Sequence, residues 1–169
     1  MRKTVLIFGL ISAALYTAMM LATFPLIDTI GIEKTDFIGY TTFVLSALLV
    51  FFGIRSFREN VGDGRMTFGR GLAVGLLITL VSSVCYVAAF QIAYFKLMPG
   101  LGEKYAACMI DRARASGASQ QEIDEKTKQA QTLKRLWDNP LTNAAVAFAE
   151  PFPIGLVAAA ISATILRKR

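Results

Sequence analysis

The residues best placed to do chemistry stand together in Ala149-Glu150-Pro151-Phe152-Pro153-Ile154-Gly155, inside the last long apolar run of the chain. Glu150 is the only Asp, Glu, Lys or Arg within the four apolar runs read here as membrane spans. A charge at the centre of a bilayer costs about 2.5 kcal/mol or more on insertion scales, so such an acid faces protein or water and finds a partner. Pro151 and Pro153 each lack a backbone N–H and press on the preceding turn, which frees carbonyls beside the carboxyl. The pattern puts a buried acid at a broken helical turn. Two chemistries fit it: a carboxyl that exchanges a proton or balances an ion, and a carboxyl that only hydrogen-bonds across a proline kink to fix packing. A proton relay ordinarily needs a second titratable group, and the four runs supply none.

The elements that must hold this acid follow from the apolar pattern. The chain has 169 residues, 54% of them hydrophobic, gathered in long uncharged blocks rather than at amphipathic spacing. That excludes an ordinary soluble domain. A bilayer core needs roughly 20 apolar residues per helix. The blocks predict spans at about 4–27, 37–54, 71–95 and 141–166, in one membrane domain over 1–169. The expected fold is all-α, an integral membrane four-helix bundle. The first block is longer than the roughly 7–15 apolar residues of a secretory signal, so it is expected to stay as an uncleaved span. Residues 28–36 read as a short acidic connector. Counting depth at about 1.5 Å per residue puts Glu150 near mid-bilayer, level with Tyr16, Thr17, Ser46, Ser83 and Tyr86, whose hydroxyls are its candidate partners.

Residues 96–140 are polar and mixed in charge, and predict a two-helix extracytoplasmic loop between spans 3 and 4. Ser119-Gln120-Gln121-Glu122 matches a capping box for the second helix. Asn139-Pro140 offers an N-cap and a proline at the first helical position of the last span. Tyr94, Phe95 and Trp137 suit the membrane interface.

The net charge of +6 does not point to nucleic acid, because the basic residues flank the apolar runs and no nucleic-acid motif is present. Arg2, Lys3, Arg55, Arg58, Arg65, Arg70, Arg167, Lys168 and Arg169 fall in very few residues on one side, whereas the loop's basic residues are diluted and balanced by acids. Both termini are therefore expected in the cytoplasm. Arg55, Arg58, Arg65 and Arg70 read either as plain stop-transfer charge or as contacts to anionic lipid headgroups. Histidine is absent, and Cys85 and Cys108 match no metal or disulfide pattern, so no metal, cofactor or catalytic set is expected and the chain does not read as an enzyme. Gly71 with Gly75, and Gly155 with Ala159 and Ala163, repeat every four residues, the spacing of close helix approach.

Val50-Phe51-Phe52-Gly53-Ile54-Arg55-Ser56, Asn60-Val61-Gly62, Phe68-Gly69-Arg70 and Glu150-Pro151-Phe152-Pro153-Ile154-Gly155 together resemble a bacterial family of small four-span inner-membrane proteins catalogued only as a domain of unknown function, family number 4199. The resemblance covers nearly the whole chain. It implies four spans with a helical loop between the third and fourth, in the bacterial inner membrane, and it implies no activity. The leading expectation is a non-enzymatic scaffold or accessory subunit that packs in the lipid bilayer against itself or a larger membrane protein. The alternative is a small oligomeric proton- or ion-coupled carrier that uses Glu150.

Overall fold

The structure is a computed structural model that describes residues 1–168, the side chains of Asp28 and Ile32 excepted. Arg169, counted above in the basic tail, lies outside the described residues. The chain runs through α1 (Arg2–Thr23), a 3-10 turn at Phe24–Leu26, α2 (Ile27–Ile30), α3 (Ile32–Val61), α4 (Phe68–Ile92), a π-helical turn at Ala93–Leu97, α5 (Leu101–Ala115), α6 (Gln120–Asp138), α7 (Pro140–Ala149) and α8 (Pro151–Leu166). Among the described residues there is no strand, only an isolated antiparallel bridge between Met66 and Lys168. The fold is all-α.

Four helical segments are long and apolar enough to cross a membrane: Arg2–Leu26, Glu33–Val61, Phe68–Leu97 and Pro140–Leu166. At about 1.5 Å per residue each exceeds the roughly 30 Å of a hydrocarbon core. Their outward faces carry Leu6, Leu10, Leu45, Leu48, Val157 and Ile161, all exposed. Apolar side chains turned outward along every long helix are what lipid, not water, solvates. Both α3 and α4 pack against α1 and against α8, so α1 and α8 take opposite corners of the bundle.

Close approach is made by small residues. A Cβ at Gly75 would stand 2.6 Å from the Ala159 Cβ, and one at Gly71 would stand 3.1 Å from the Ala163 Cβ. Gly155 lies against the Thr79 side chain. The small-residue repeats of α4 and α8 thus face each other inside one protein. The bundle has two cores. One is aliphatic, with Val50, Ile54, Val74, Ile78 and Leu166 beside the Met66–Lys168 bridge. The other, toward α5 and α6, is aromatic, with Tyr16, Phe43, Tyr86, Phe90 and Tyr94.

Helix ends obey local rules. Ser119 Oγ accepts from the Glu122 N–H, and the Glu122 carboxylate accepts from the Ser119 N–H at 2.8 Å, closing the capping box. The Ser119 N–H and then the Ser119 hydroxyl, both donating to it, hold the Glu122 carboxyl below its ordinary value. Asn139 Oδ1 accepts from the Leu141 N–H at 2.9 Å and Pro140 follows at the first turn. The second span departs from its expected bounds. Rather than 37–54, α3 runs Ile32–Val61, so most of the acidic connector and the start of the arginine loop are helical. Its ends are glycines: Gly31 has φ +82°, and Gly62 begins a turn in which Asp63 and Gly64 both take positive φ.

Candidate functional site

The last span is one rod with a gap in its hydrogen bonds. Glu150 keeps right-handed helical angles, φ −73° and ψ −61°, so the chain continues from α7 into α8 without reversing. Pro151 and Pro153 have no N–H to donate, which leaves the Ala147 and Ala149 carbonyls without their usual partners four residues on. Pro151 is buried, and Phe148 stacks on Phe152 at 4.7 Å across the gap. The half-buried Glu150 carboxylate accepts from the Tyr86 hydroxyl at 3.4 Å, a long hydrogen bond.

Beside Glu150 is a cavity of about 130 Å³ under the loop hairpin. Its second carboxylate is Asp36, one turn inside the start of α3. Asp36 accepts from the Tyr105 hydroxyl of α5 at 2.8 Å. Burial and the neighbouring carboxylate push the Tyr105 phenol well above its ordinary value, so it stays a donor. Among the described residues no lysine or arginine pairs with Asp36 or Glu150, and both carboxylates line the one cavity.

Aromatic rings close the wall. Tyr40 meets Phe43 at 6.2 Å, Phe43 meets Tyr86 at 5.6 Å, and Tyr86 meets Phe90 at 6.0 Å. Phe90 meets Trp137 at 6.3 Å, and Trp137 meets Tyr105 at 5.0 Å. Tyr105 then reaches Asp36, which stands one helical turn before Tyr40, and the circuit is complete. Such ring pairs are worth about 0.5–1.5 kcal/mol each beyond the area they bury.

The hairpin of α5 and α6 is pinned over this site. Tyr94 donates to Asp138 at 2.8 Å, Lys134 pairs with the same carboxylate at 2.7 Å, and Arg112 pairs with Glu33. Lys134 first, and then Tyr94, hold the Asp138 carboxyl below its ordinary value. Asn143, fully buried, donates to the Trp137 carbonyl at 3.0 Å and ties α7 to the end of α6.

The model of the family described as Protein of unknown function (DUF4199) matches residues 5–168. The chain belongs to this family. No curated protein and no solved structure matches it. Membership in DUF4199 brings no activity with it.

Of the hydroxyls read at the depth of Glu150, the structure brings one to it, Tyr86. Tyr16 packs edge-on against the Tyr86 ring at 5.6 Å and turns its hydroxyl toward Ser46 and Ser82. The Ser83 hydroxyl is buried with no protein partner, and Thr17 is half-buried on α1 with no described bond to the carboxylate. Arg55 and Arg58 sit on the last turns of α3 and both reach Glu59, at 2.9 and 3.4 Å, while Arg65 and Arg70 are exposed beyond the turn. Asp36, which precedes the second apolar run, joins Glu150 at the cavity from the start of α3. By polarity Asp36 reads as connector, yet Asp36, Tyr40 and Phe43 lie at helical spacing, and this is the signal in the sequence that could find it.

Proposed function

We propose that this DUF4199 protein is a multi-pass membrane carrier coupled to a proton or cation, with the Asp36–Glu150 cavity as the coupling site. The observation that carries this reading is a pair of carboxylates, hydrogen-bonded by tyrosines but with no cationic partner among the described residues, lining one cavity beside a hydrogen-bond gap in a membrane helix. A proton or cation there relieves their mutual repulsion. The proline gap gives a place where the span can flex as the charge changes. Two surfaces that a scaffold could offer to a partner are used internally here: the small-residue stripes join α4 to α8, and the hairpin's aromatic residues Tyr105 and Trp137 line the cavity.

Carbodiimides modify protonated carboxyls in apolar surroundings, and they supply the test. In native bilayers between about pH 5 and pH 9, labelling at Glu150, read by mass spectrometry, is expected to fall as pH rises. Asp36, Tyr40, Tyr86 and Tyr105 are the other titratable groups facing the cavity, and Asp36→Asn separates their influence. Absence of labelling at every pH would return Glu150 to a purely structural role.

The same reading sets the protein in a bacterial inner membrane with the arginine-rich end in the cytoplasm, on the density of Lys and Arg there. Arg65 and Arg70 then face anionic headgroups. Cys108 on α5 is half-exposed and Cys85 lies in the middle of α4, and both are free thiols. A membrane-impermeant maleimide added to intact cells is expected to label Cys85→Ser as strongly as the natural protein and to leave Cys108→Ser unlabelled. Labelling of Cys108 only after the membrane is broken would invert the topology.

A further inference from the structure

The shape and lining of the cavity say more than its charge, and from them we infer that its ligand is a small substituted ammonium ion, of the size of tetramethylammonium. This rests on the cation-coupled reading above and names the chemical class. The ligand must satisfy three features at once. Two carboxylates in one cavity without cationic partners among the described residues, Asp36 and Glu150, favour positive charge. The circuit of rings from Tyr40 through Tyr86 and Trp137 to Tyr105 supplies aromatic faces, which attract cations that carry methyl or methylene groups and are poorly hydrated. The volume, about 130 Å³, approaches that of an apolar protein cavity known to admit benzene, so about five to seven heavy atoms fit.

A hard metal ion fits worse. Calcium takes about six to eight oxygen ligands and magnesium about six. Here the hydroxyls of Tyr86 and Tyr105 are already committed to the carboxylates, and no group of three or more His, Cys, Asp or Glu that can hold a metal exists among the described residues. The loop hairpin, which carries Tyr105 and Trp137, forms the roof, so the ligand is held between the membrane helices and the hairpin.

Trp137 is the only tryptophan in the chain and stands in the cavity wall with its ring N–H unpartnered by protein, so its emission reports what fills the site. The full chain in lipid nanodiscs is titrated with tetramethylammonium chloride, with sodium chloride at matched ionic strength, and with tert-butanol as the neutral molecule of similar shape. A saturable change with tetramethylammonium alone is expected, half-complete on the order of 1 mM for so small a ligand. Glu150→Gln and Asp36→Asn should each weaken it by about 10-fold or more. Tyr40→Ala, at a side chain 58% exposed, removes one ring with little risk to the fold and should weaken it by about 2- to 5-fold.

An equal response to tert-butanol, or a tetramethylammonium response indifferent to all three substitutions, overturns the inference. If tetramethylammonium is silent while sodium or pH alters Trp137 emission and carbodiimide still reaches Glu150, the coupling reading stands and the ammonium class falls. If emission and labelling are both silent, both fall.

Discussion

Gly75→Val is expected to break the bundle, lowering the stability of the purified protein in detergent by about 3 kcal/mol or more. A Cβ at this position would stand 2.6 Å from the Ala159 Cβ, 2.8 Å from the Ile54 Cδ1 and 3.1 Å from the Ala159 Cα. The tip of Ile54 can swing aside, but Ala159 presents its backbone, so α8 itself would have to retreat from α4. In a bilayer there is little hydrophobic drive between helices, and association rests on close packing. A retreat of a few tenths of an ångström therefore weakens contacts along the whole helix pair. Valine adds two more methyl groups to the clash, so Gly75→Ala should cost less than Gly75→Val. Adding Ala159→Gly to Gly75→Ala returns the missing space and should recover most of the loss, a coupling expected only of residues in contact. Gly69→Ala is the control, because nothing lies within 4 Å of the Cβ it would add. Thermal unfolding in detergent that places Gly75→Val with the natural protein would refute this account of how α4 and α8 are joined.

How far the sequence was legible depends on the range of the interaction. Rules acting within a few residues read correctly: Ser119 with Glu122, Asn139 with Pro140, and the glycine repeats on α4 and α8. The limits of α3 lie beyond its apolar run, because polarity does not end a helix. Glu33, Lys34 and Asp36 at one end and Arg55, Arg58 and Glu59 at the other are tolerated in a helix that extends past the apolar core. The real punctuation is conformational and comes from Gly31 and Gly62. Depth counting chose Tyr86 rightly but could not separate it from Thr17 or Ser83, since depth along a helix carries no information about which way a side chain faces. The cavity was beyond such reading altogether. Its hydrogen bonds join Tyr86 to Glu150 and Tyr105 to Asp36, across 64 and 69 residues. Its wall needs the hairpin folded back onto the bundle, and no local pattern in α5 or α6 states where that hairpin lands.

Glu150→Gln should reduce cation uptake into proteoliposomes by about 30-fold or more while leaving the fold intact. Glutamine keeps the volume of the side chain and still accepts from the Tyr86 hydroxyl, so what it removes is charge. At about 4 Å and an effective dielectric constant near 20, a cation and a carboxylate attract by about 4 kcal/mol. Part of that is offset by the cation's lost hydration and part remains with Asp36, leaving about 2–3 kcal/mol, which is the stated factor. Tyr86→Phe separates charge from hydrogen bonding. It deletes a bond that is already long at 3.4 Å and should cost about 1 kcal/mol, no more than about 5-fold in uptake. Asp36→Asn should act like Glu150→Gln, and the double substitution should fall short of the product of the two singles, because both carboxylates serve one ligand in one cavity. Full additivity would mean two independent sites. Uptake unchanged in Glu150→Gln and Asp36→Asn, with both proteins folded, would mean that the acids beneath the hairpin hold the loop in place and carry no cation.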